Sequence, residues 1–63
     1  MDKYEKYDAL TEVAMALDFR IMELSKRSET DEFWAKSAKE ARNALNIIRK
    51  MAAEAGEEIW PTN

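Results

Sequence analysis

Cysteine and histidine are both absent from these 63 residues, and glycine and proline occur once each. With neither thiol nor imidazole, the chain has no thiolate nucleophile, no Ser-His-Asp triad and no Cys/His zinc site. It has no disulfide to tie down a small fold and nothing that points to an oxidising compartment. No apolar run approaches the ~20 residues that cross a bilayer. The opening Met1-Asp2-Lys3-Tyr4-Glu5 lacks the basic region and apolar stretch of a signal peptide. The expectation is therefore a soluble cytoplasmic protein, not an enzyme, without metal or cofactor.

A chain this short buries only about 60% of the surface its unfolded form exposes. Below ~70–80 residues a core worth ~3–5 kcal/mol usually needs a disulfide, a metal or a partner subunit. Only the partner is open to this sequence, so self-association is expected. The formal net charge is −3, from 13 acids against 10 bases, which does not mark the whole molecule as a polyanion binder. The charges are unevenly placed, however. Between residues 33 and 53, Lys36, Lys39, Arg42, Arg49 and Lys50 face Glu40 alone.

The scarcity of breakers and the wealth of Ala, Leu, Met, Glu and Lys predict helix. Asp2 followed by Glu5 resembles a capping box and starts a first helix over about 2–26. Lys26 and Arg27 suit its C-terminus. A turn follows over about 27–30, where Ser28 or Thr30 can cap the next helix. A second helix spans about 31–55 with Gly56 as its stop, and a short tail runs over 56–63. The fold class read from this pattern is all-α, one domain over 1–63: a two-helix antiparallel hairpin assembling into a homo-oligomeric helical bundle. One long continuous helix is the alternative, because the turn holds neither Gly nor Pro. No internal repeat or low-complexity segment is present.

At about 100° per residue, Tyr7, Leu10, Val13, Ala14, Leu17, Ile21 and Leu24 form the core face of the first helix. Tyr4, Met15, Phe19 and Met22 make a second apolar group, set apart by Thr11 and Asp18. The second helix has an apolar arc from Phe33 and Trp34 through Leu45, Ile47 and Ile48 to Met51 and Ala55, wider than the ~100° stripe of an ordinary surface helix. Two such surfaces predict subunit packing, most simply a dimeric four-helix bundle. The expected interface residues are Tyr4, Met15, Phe19, Met22, Leu45 and Ile48.

Glu5–Asp8 and Glu29–Glu32 are spaced like metal-binding carboxylate pairs, but they fall at helix ends, where capping and solvation account for them. Arg42 and Arg49 share a helical edge, with Lys39, Asn46 and Lys50 beside them. Charge, forked donors and amides suit phosphate, so these five and Trp34 are the candidate ligand-binding residues; a solvated helix face is the plainer reading. Base stacking on an aromatic is worth ~1–3 kcal/mol. Trp34 can equally be core, and Trp60 can fold back onto the helix end or dock on another subunit.

In length and architecture the chain is similar to the Rop-type RNA-binding hairpin, which dimerises into a four-helix bundle and binds through one face. The stretch Glu32-Phe33-Trp34-Ala35-Lys36-Ser37-Ala38 resembles the late helix of phage cyclic-oligonucleotide sponges, short oligomeric anti-defence proteins. That resemblance implies sequestration of a signalling nucleotide by basic residues at subunit interfaces. Three functions follow as expectations. The first is a non-enzymatic oligomer holding an anionic, nucleotide-like ligand. The second is an adaptor or inhibitor whose Tyr4/Met15/Phe19/Met22 group accepts a partner protein's helix. The third is a Rop-like RNA binder, which the overall acidity disfavours.

Overall fold

Two caps define where the helices begin. In the computed structural model, which describes residues 1–61, α1 spans Lys3–Ser28 and α2 spans Glu32–Ile59. The Asp2 side chain accepts a hydrogen bond from the Glu5 backbone N–H at 2.8 Å, satisfying one of the donors that a helix start leaves open. Asp31, rather than Ser28 or Thr30, caps α2 by accepting from the Phe33 N–H at 2.9 Å. The two hydroxyl residues finish α1 instead. Ser28 Oγ donates to the Ser25 carbonyl and Thr30 Oγ1 to the Arg27 carbonyl, at 2.8 and 3.0 Å. Each meets an acceptor that the helix end cannot pair internally. Three polar residues, Glu29, Thr30 and Asp31, thus reverse the chain without glycine or proline.

The Glu5 N–H holds the Asp2 carboxyl below its ordinary value of 3.8. A carboxyl whose folded pKa is depressed stabilises the fold above its unfolded pKa, and that contribution fades as pH falls through the folded value. Asp2→Ala should therefore lower the thermal midpoint near neutral pH and lower it much less well below pH 3.8. Paired circular-dichroism melts at the two pH values check this; an equal loss at both would mean that the carboxylate charge is not what caps α1.

α2 does not stop at Gly56. No glycine takes a positive φ, so the left-handed C-cap expected there is absent and the helix continues to Ile59. It ends at Trp60, whose N–H bonds to the Gly56 carbonyl at 2.8 Å. Pro61 comes next, and a residue before proline is pushed out of helical geometry. Gly56 serves packing instead: a Cβ there would lie 3.3 Å from Tyr7 Cε1. The Tyr7 ring meets Trp60 edge-on with centroids 5.3 Å apart, so the far end of α2 is clasped to the start of α1. The part of the expected tail beyond residue 61 lies outside the described residues.

The helices pair as a hairpin in a single layer, 46 × 21 × 14 Å, with no strand among the described residues. Each helix has one neighbour and buries one stripe. Leu24, Ala38 and Ala41 form a buried cluster with Ile21 and Trp34 against it; Leu45 and Ala55 are buried further along α2. Small residues on α2 let α1 approach closely, and from α1 only Leu24 is fully enclosed. Tyr7, Leu10, Ala14, Leu17 and Ile21 are half-buried on the expected core face of α1. Val13 is not, being 44% exposed at the margin of the stripe, beyond the reach of a single partner helix. Among the described residues no helix is long and apolar enough to cross a membrane.

Candidate interaction surfaces

The expected second apolar group of α1 is left uncovered. Tyr4, Met15, Phe19 and Met22 are 57%, 47%, 70% and 58% exposed, along one side of the helix at the spacing of successive turns. Leu45, expected at the same interface, is instead buried inside the hairpin, because its position on α2 points at α1. Ile48 is half-buried there. A further apolar set is exposed on α2: Phe33, Ile47 and Met51. At about 100° per residue these lie on the opposite flank of the buried α2 seam from Arg42 and Arg49.

Arg49 is already engaged. Its Nη2 lies 3.2 Å from Asp18 Oδ1 on α1, and both side chains remain about half exposed, so the pair adds little stability. Its value is positional. Asp18 sits one turn from Met15 and one turn from Met22, so the basic edge of α2 and the exposed methionines of α1 share one face of the hairpin. Lys39, Arg42, Asn46 and Lys50 are exposed around this edge.

Trp34 is not beside them. It is half-buried near the connection, packed on the Leu24/Ala38/Ala41 cluster, with the Phe33 ring edge-on at 5.1 Å. The Arg27 guanidinium lies over its ring, 5.0 Å from the centroid. The structure thus separates the tryptophan from the basic edge and joins it to α1. Phe19, Arg20, Glu23, Leu24, Arg27 and Trp34 line a depression of about 470 Å³ at that end of the hairpin. Arg20 and Arg27 were not among the residues expected to bind a ligand. Their spacing of seven on one helix face was the available signal, but their meeting with Trp34 depends on the register of the two helices.

The carboxylate pairs Glu5–Asp8 and Glu29–Glu32 remain at helix ends. Among the described residues no three metal-ligating side chains come together. Compared with protein-family models, curated proteins and solved structures, the chain shows no match.

Proposed function

We propose that the chain is a non-enzymatic binding protein whose working form is a homodimer, two hairpins packed face to face as a four-helix bundle through Tyr4, Met15 and Met22, with Phe19 at the open margin of that face. One observation carries this reading. The single hairpin exposes 5003 Å², whereas a folded monomer of 7.3 kDa is expected to expose roughly 4,200 Å². The excess, roughly 800 Å², is about what each partner contributes to a standard protein interface. Large apolar side chains are among those exposed, including Phe19 at 70% and Met22 at 58%, and a stable monomer does not usually leave such groups together in water.

A second copy is the occupant that the charges favour. The face that carries the methionines has Asp8 and Asp18 against Lys26 along α1, with Lys39, Arg42 and Arg49 along α2. A two-fold axis that lays α1 of one hairpin across α2 of the other brings unlike charges together. Sedimentation equilibrium of the purified chain tests this. A mass of twice the chain is expected at micromolar concentration, and a mass of one chain throughout would defeat the reading.

The bound ligand belongs to the anionic class, and sequestration rather than conversion is the activity. What supports this is the arginine pair brought to a tryptophan on the half-open depression near the connection; the Arg42–Arg49 edge is already neutralised in part by Asp18.

A further inference from the structure

We infer that the depression lined by Phe19, Arg20, Glu23, Leu24, Arg27 and Trp34 is a binding site for a small planar aromatic anion. The inference deepens the anionic-ligand reading above and does not depend on the dimer, since one hairpin supplies every lining residue.

Arg27 is the key group. Its guanidinium lies over the Trp34 ring, 5.0 Å from the centroid, a cation–π contact that does not use up its N–H donors. Trp34 is itself held against the core, so Arg27 is oriented by a fixed platform rather than ranging over its rotamers. No ion pair to Arg20 or Arg27 forms among the described residues. Arg20 lies two helical turns earlier on α1, about 10.5 Å away along the axis, and both long side chains border the same depression. Their forked donors suit the oxygens of a carboxylate, sulfonate or phosphate. Phe19, 70% exposed, offers apolar surface for the ring that carries it. The volume, about 470 Å³, falls within the usual range for small-molecule sites of roughly 300–1,000 Å³.

Glu23 makes the inference sharp. Its carboxylate stands between the two arginines in sequence and lines the same depression, where it repels an anion. Removing that charge should tighten an anionic ligand and weaken a cationic one, so the sign of one variant identifies the class.

The test is an NMR titration of the full chain with naphthalene-2-sulfonate, following the indole N–H resonances. Inorganic sulfate and 2-naphthol serve as the anion-only and ring-only probes. The Trp34 resonance should move saturably and that of Trp60 should stay, with the sulfonate binding more tightly than either probe alone. Arg27→Ala should weaken the sulfonate about tenfold, the loss typical of a hydrogen bond to a charged group. Arg27→Lys, which keeps the charge without the fork, should recover only part of that loss. Glu23→Gln should strengthen binding, and Lys50→Ala, remote from the depression, should change nothing. Equal affinity for 2-naphthol, an unaffected Arg27→Ala, or a Lys50→Ala loss as large as that of Arg27→Ala would each overturn the site. A site lost while the chain still sediments as a dimer would fail alone; a site that binds in a monomer would survive the failure of the dimer.

Discussion

Leu24→Ala is expected to abolish the cooperative thermal transition of the hairpin or bring its midpoint close to room temperature. Leu24 is 3% exposed and is the only α1 residue that is fully buried. Truncating a buried leucine typically costs 2–5 kcal/mol, which is about the whole of the ~3–5 kcal/mol that a core of this size supplies. Relaxation offers little relief. The wall opposite Leu24 is built of Ala38 and Ala41, whose methyl groups are too short to move into the gap. Leu24→Met, which conserves volume, should cost less than about 1.5 kcal/mol. Circular-dichroism melts of both variants at matched concentration provide the comparison. A Leu24→Ala chain that melts within a few degrees of the parent would show that the fold is held elsewhere, chiefly by the subunit interface.

The second large effect is on assembly. In the double variant Met15→Lys, Met22→Lys, the sedimenting mass should fall from two chains to one. Both side chains already face water in the single hairpin, at 47% and 58% exposure, and lysine is a good helix former, so α1 itself has no reason to unwind. Against a second copy, however, each ammonium would lose its hydration, a penalty of several kcal/mol per ion, and would meet the like charges of Lys39, Arg42 and Arg49 across the seam. Met51→Lys, on the other flank of the hairpin, serves as the control and should leave the mass unchanged. A double variant that keeps the parent mass would move the interface away from this face. Met15 and Met22 are used here rather than Phe19, because Phe19 also borders the depression with the two arginines.

Much of the fold was legible because it rests on local signals. Helix propensity, the Asp2 cap and the spacing of Leu10, Leu17, Ile21 and Leu24 need no knowledge of the partner helix. The errors arose where two local signals compete or where the partner decides. Asp31 outcompeted Ser28 and Thr30 as the α2 cap, because those hydroxyls had closer acceptors in the last turn of α1. Gly56 read as a stop, yet its lack of a side chain answers to the ring of Tyr7 across the hairpin. The exposed apolar group of α1 was visible in the sequence, since its separation from the core face is a matter of angle alone. The candidate ligand site is not legible in this way, because the basic residues are densest along α2, around Arg42 and Arg49. What joins Arg20 and Arg27 to Trp34 is the antiparallel register, and that is fixed only when the helices pack.

The short connection and the Tyr7–Trp60 clasp lie at opposite ends of the same rod, which gives folding a direction. Contacts such as Arg27–Trp34 close a very small loop and cost little chain entropy, whereas the clasp must wait until almost the whole chain has been gathered. The hairpin should therefore zip from the connection outward and fray from the clasp inward, quickly, as low-contact-order helical proteins do. The two tryptophans stand one at each end of that zipper. After a temperature jump, emission from Trp60 should begin to change before emission from Trp34.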